Sequence, residues 1–139
     1  MAMARADVQI AESSYRRCAD KPAFYEAFYE HLLASDPRIA PKFAQTDFGR
    51  QHRLLKHGLG LLIIYAKRPN PALIERIALR HSRGDTDVPA ELYAFFGTAL
   101  EHALALHDPE YGPEVAAAWR ATLEPGIAYM VSRYEDRPA

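Results

Sequence analysis

Cysteine is almost missing from this sequence. Cys18 is the only one in 139 residues, which excludes an internal disulfide and a cysteine-based metal cluster. A surplus of either charge is missing too, since 17 Lys and Arg face 18 Asp and Glu for a net charge of −1. Without a basic excess there is no electrostatic footprint for nucleic acid. Long apolar runs are absent: the longest, residues 59–66, contains Gly60 and ends at Lys67-Arg68, well short of a membrane span. The first residues lack the basic-then-apolar layout of a secretory leader. A cytoplasmic protein without nucleic-acid or membrane partners is expected. Period-two alternation of apolar and polar residues is absent as well, so no strand is expected.

What is present is a normal globular balance, 49% hydrophobic and 25% charged, at a length typical of one domain. A single domain over 1–139, with a core large enough to enclose a ligand, is the expectation.

Apolar residues recur at helical spacing along most of the chain. A first helix is expected over 4–19, with Val8, Ala11, Ser14, Tyr15 and Cys18 on or near one face. Cys18 there reads as a small core residue. Asp20 is a candidate cap and Pro22 suits the first turn of a second helix over 21–34. Phe24, Phe28, Leu32 and Tyr25, Tyr29, Leu32, Leu33 form two adjoining stripes on it. Residues 38–43 read as a short helical turn closing on Phe43. A third helix, capped by Asp47 or Thr46, runs from Phe48 to Lys67 with Leu54, Leu55, Leu59, Leu62 and Ile63 inward. A helix over 73–81 follows, with Asn70 as its cap. Asp87 is a candidate cap for a long helix over 89–107, whose stripe is Leu92, Phe95, Phe96, Ala99, Leu100, Ala103 and Leu106. The last helix, 113–135, turns Val115, Trp119, Leu123, Ile127, Met130 and Tyr134 inward. Pro125 should kink it, because it removes one backbone bond and crowds the Ala121 carbonyl.

The helix over 73–81 organises the functional reading. Ile74, Ile77 and Ala78 share a face, and His81 extends that stripe. A histidine in a last helical turn is favoured simply by the negative end of the helix dipole. The same placement can also aim one imidazole nitrogen into an apolar cavity.

The chain resembles the globins, most closely the bacterial single-domain and flavohaemoglobin type. The resemblance spans nearly the whole sequence. It rests on Phe28-Tyr29 with Leu32-Leu33, then Asp36-Pro37, Phe43, Gln51 with Leu55, the run Ile74-Glu75-Arg76-Ile77-Ala78 leading to His81, and finally Tyr93 and Ala118-Trp119. It implies an all-α, globin-like fold of about six to eight helices around a haem pocket. It also implies haem b, iron protoporphyrin IX, with His81 as the proximal ligand of a pentacoordinate iron. Phe43 matches the aromatic that packs on the haem face, and Leu55, Ile77 and Tyr93 are expected along the cofactor. Tyr29 and Gln51 match the distal donors, and a phenol donor would hold a gas ligand that carries partial negative charge. His52 competes with Gln51 for the distal place, while His31 and His57 are peripheral. In flavohaemoglobins Tyr93's counterpart works with a glutamate on the last helix. Here that place falls near Tyr134, with Glu135 one residue off.

The resemblance implies reversible binding of dioxygen, and of CO and NO, with oxygen transport as one role. A nitric oxide dioxygenase or peroxidase-like enzyme served by a separate reductase is the alternative. A gas-sensing module and a haem-free interaction protein are two further readings. A monomer and a homodimer are both compatible with the sequence.

Overall fold

In the computed structural model, backbone is described for residues 2–135 and side chains from residue 6. Among the described residues six α-helices account for most of the backbone: α1 Ala2–Cys18, α2 Pro22–Ser35, α3 Phe48–Lys67, α4 Glu75–Arg80, α5 Tyr93–His107 and α6 Pro113–Ser132. Short 3-10 turns at Ala40–Phe43, Pro71–Leu73 and Ala90–Leu92 join some of them. No strand occurs among the described residues, and no helix there is long and apolar enough to cross a membrane.

The helices pack in crossed pairs. α1 lies on α6, α2 on α5, and α3 crosses α6. The centre is filled by Trp119, Phe24, Phe28, Leu59, Ile74, Leu100 and Leu104, all essentially sealed from solvent. The aromatic stripes of α2 supply much of this, with Phe24, Tyr25, Phe28, Tyr29 and Leu32 buried. Cys18 is buried as a core residue. α3 begins as its sequence dictates, with the Asp47 carboxylate accepting the Arg50 N–H at 3.3 Å.

Several expectations are corrected. Asp20 does not cap α2; Lys21 holds that position without a side-chain bond, and Asp20 instead pairs with Lys56 at 2.7 Å. Leu54 is 49% exposed. The buried face of α3 is centred on Leu59, Leu62 and Ile63, and one residue back from Leu55 is a rotation of about 100° out of that face. Leu106 is 61% exposed, and Leu104 is buried in its stead. α5 packs against α1 and α6 as well as α2, and Leu104 rather than Leu106 faces that core.

The helix expected over 73–81 is split. Asn70 does cap, accepting the Ala72 N–H at 3.1 Å, but the segment it caps is the tight turn Pro71–Leu73. Ile74 leaves helical geometry at φ −123°, ψ 7° before α4 begins. His81 follows as the C-cap residue of α4. Asp87 does not cap the next helix. It adopts φ 59°, and its carboxylate accepts the Tyr134 hydroxyl. The segment over 89–107 becomes the turn Ala90–Leu92 followed by α5. α6 stays helical through Pro125. Gly126 is buried at the crossing with α3, where a Cβ would collide with Leu62 Cδ2 and lie 3.7 Å from Ile74 Cδ1.

Candidate functional site

Two groups of side chains gather around the expected positions. The first is centred on Tyr29 of α2. Its ring meets Phe43 edge-on at 5.7 Å and Phe48 at 5.6 Å. Gln51, one turn into α3, donates its amide to the Tyr29 hydroxyl at 3.0 Å. The hydroxyl's own proton has only a long 3.5 Å contact with the Gln51 carbonyl, at the limit of a hydrogen bond. Burial pushes the Tyr29 pKa up to about 12, with the Gln51 bond lowering it in part. Tyr29 is therefore a protonated phenol whose donor is nearly unspent.

His52 does something different. Its ring stacks on Tyr25 at 5.6 Å and on Tyr29 at 5.6 Å, so it braces the aromatic group while Gln51 reaches the hydroxyl. His31 lies away from this contact and stacks on His102 at 4.5 Å. His57 is exposed.

The second group is centred on His81. Its Nδ1 lies 2.7 Å from the Ile77 carbonyl, which fixes the tautomer with the proton on Nδ1. Nε2 makes no hydrogen bond among the described residues. Burial lowers the His81 pKa; the Ile77 bond opposes this and Arg80 adds to it. The ring is thus a neutral imidazole with a free lone pair. Tyr93 lies beside it, ring centres 6.4 Å apart, and the Tyr93 hydroxyl is buried without a partner. Neither Tyr134 nor Glu135 reaches this pair. Tyr134 bonds to Asp87, and Glu135 pairs with Arg83 at 2.6 Å.

The two groups connect through α5. Phe96, one turn beyond Tyr93, meets Phe28 edge-on at 5.4 Å, and Phe28 meets Tyr29 at 4.9 Å. Phe43, Phe48, Leu55, Ile77, Val88, Tyr93 and Phe96 all pack on the same core while staying partly open. Phe48, Val88 and Phe96 were not among the site residues expected from the sequence. Phe48 had a signal, because it lies one turn before Gln51 on the same helix. A groove of about 290 Å³ between α5 and α6, floored by Leu100, Trp119, Leu123 and Ile127, contains none of the candidate residues.

Among the described residues no set of three or more His, Cys, Asp or Glu gathers to hold a bare metal ion. A metal held by His81 would have to bring most of its ligands with it, as iron in a porphyrin does. The donor set fits such a group: one neutral imidazole nitrogen, partly open apolar side chains, and a phenol with a spare proton.

No protein-family model matches the sequence, and no curated protein matches it. Among solved structures, the chain is similar to a protein from Pseudomonas aeruginosa PAO1 described as structurally highly homologous to a human hemoglobin. The two share 36% identity with a TM-score of 0.89, over 94% of this chain and 99% of that one.

Proposed function

The chain belongs to the globin family, and on that premise we propose that it is a haem protein that reversibly binds dioxygen, with CO and NO as further ligands. The observation that carries this reading is the state of His81: neutral, oriented by the Ile77 carbonyl, and with Nε2 unspent. Bound haem, of the b type, supplies reversible coordination of a small diatomic gas. His81 would hold it from the proximal side through Nε2. Phe43, Leu55, Ile77 and Tyr93 would line its faces. Tyr29 would donate its spare proton to the gas, and Gln51 would hold the phenol oxygen and polarise it.

Binding is favoured over oxidative catalysis by what surrounds His81. Its Nδ1 bonds to a backbone carbonyl, and the carboxylate of Glu135 is engaged with Arg83. A carbonyl partner makes an imidazole less basic than a carboxylate partner does. The nitric oxide dioxygenase reading keeps Tyr29 and Gln51 but also needs a source of electrons for the iron.

The test is the absorption spectrum of the purified protein with added haemin, then reduced, then under CO. Stoichiometric uptake with a Soret band that shifts at each step is expected. His81→Ala should lose stable uptake. Failure of the wild-type chain to bind haem, or an unchanged spectrum in His81→Ala, would overturn the reading.

A further inference from the structure

Lys42 precedes Phe43 in the corner turn Ala40–Phe43, yet its side chain leaves that turn. Its Nζ donates to the Asp87 carbonyl at 2.6 Å and to the Thr86 carbonyl at 3.0 Å. Both carbonyls belong to residues 82–88, the loop that leaves His81. One ammonium therefore joins the segment that carries Phe43, against Tyr29, to the segment that follows the candidate proximal histidine.

That loop is fixed on its other sides. Thr86 N–H donates to the Arg80 carbonyl at 3.1 Å, Asp87 N–H to Ser82 at 2.9 Å and Val88 N–H to His81 at 3.0 Å. At its outer edge Arg83 N–H donates to the Tyr134 carbonyl at 2.7 Å, and the Tyr134 hydroxyl holds the Asp87 carboxylate. Asp87 sits at φ 59°, a left-handed conformation that is uncommon outside glycine and that aspartate tolerates better than most residues. This turning residue is the one gripped from both directions, by Tyr134 through its side chain and by Lys42 through its carbonyl. Closing a local turn does not require a lysine 45 residues away.

We propose that Lys42 is a positioning residue that latches the edge where the corner turn meets the loop after His81, so that a flat apolar cofactor leaves slowly. This rests on the haem reading. The latch acts through the two apolar side chains beside it, Phe43 next to Lys42 and Val88 next to Asp87, both packed on the common core. With the latch closed these two are tethered across the edge. With it open, the corner can separate from a loop that stays anchored to α4 and to Tyr134. Arginine can reach the same pair of carbonyls, whereas methionine keeps the stem and loses the donors.

The experiment follows haem transfer from the reconstituted protein to an excess of a haem-scavenging protein. Lys42→Met should lose haem about ten-fold faster, the scale of one partly exposed charge-assisted bond at the low end of its range, and Lys42→Arg should stay near the wild-type rate. In the haem-free protein, amide exchange over residues 82–88 should rise in Lys42→Met and not in Lys42→Arg. If haem is bound but Lys42→Met loses it no faster than wild type, the latch alone is overturned. The latch is also overturned if Met and Arg variants lose haem equally fast, since packing would then explain both. If the wild-type chain takes up no haem, the haem reading falls first and the latch with it.

Discussion

On the proposed reading Tyr29 would act as the distal donor, and burial keeps its proton in place at any physiological pH, its pKa being raised to about 12. A hydrogen bond to a ligand bearing partial charge is worth about 1.5–3 kcal/mol. Tyr29→Phe should therefore speed dioxygen release about ten- to a hundred-fold, read by stopped-flow displacement with CO. An unchanged rate would remove Tyr29 from the bound ligand. On the same reading Gln51 would act through Tyr29, by way of the 3.0 Å bond, so Gln51→Leu should change the rate in the same direction but by less. At this scale the sequence left one ambiguity. Gln51 and His52 are neighbours, and a one-residue shift of α3 is a rotation of about 100°, which no pattern of leucines resolves at a helix start. The surrounding fold separates them: the Gln51 amide meets the hydroxyl, and the His52 ring lies flat on Tyr25 and Tyr29.

The elements were more legible than their ends. Helical stripes marked all six helices, and α3 was bounded correctly because Asp47 and the Lys67-Arg68-Pro69 break are local signals. The segment before His81 was not, because the break at Ile74 is tertiary. Ile74 is fully buried beside the α3–α6 crossing, and propensity says nothing about that. The lost caps have the same origin: Asp20 is drawn to Lys56, and Asp87 to Tyr134. The crossing yields its own prediction. A methyl at Gly126 would collide with Leu62, and overpacking costs about 1–3 kcal/mol. Replacing glycine in a helix returns at most about 1 kcal/mol. Gly126→Ala should therefore lower the urea midpoint despite its better helix propensity. A raised midpoint would mean that Leu62 and Ile74 have room to give.

The molecule as a whole is tied together by a polar network that the sequence did not announce. Asp108 ends α5, where a carboxylate meets the unfavourable end of the helix dipole. Its reason for being there lies on α1. Ser14 Oγ donates to it at 2.6 Å, and Arg17 donates through Nε at 2.6 Å and Nη2 at 2.9 Å. The Glu110 N–H adds a bond at 2.9 Å. Ser14 in turn accepts the indole N–H of Trp119 on α6 at 2.9 Å, so three helices meet at one buried carboxylate. Burial alone would raise the Asp108 pKa, but the bonds from Arg17, Ser14 and the Glu110 amide outweigh it and hold it below the ordinary 3.8. The unfolded chain then binds this proton more readily than the folded one. The stabilisation is present above the ordinary carboxylate value and is lost as pH falls through the depressed one. Urea denaturation across a pH series should show this acid-side slope in the wild type and a shallower slope in Asp108→Asn. At neutral pH the variant should be less stable by about 1–3 kcal/mol, the cost of a lost buried charge-assisted bond. An identical acid slope in both proteins would assign it to other carboxylates. Tyr93 opens α5 and Asp108 closes it, about 22 Å apart at 1.5 Å per residue, and no residue of this network belongs to the candidate site. Asp108→Asn should thus lose stability while its haem titration at neutral pH keeps the wild-type endpoint and Soret band. Weakened haem uptake in a still-folded variant would show instead that the α1–α5–α6 junction sets the geometry around Tyr93 and His81.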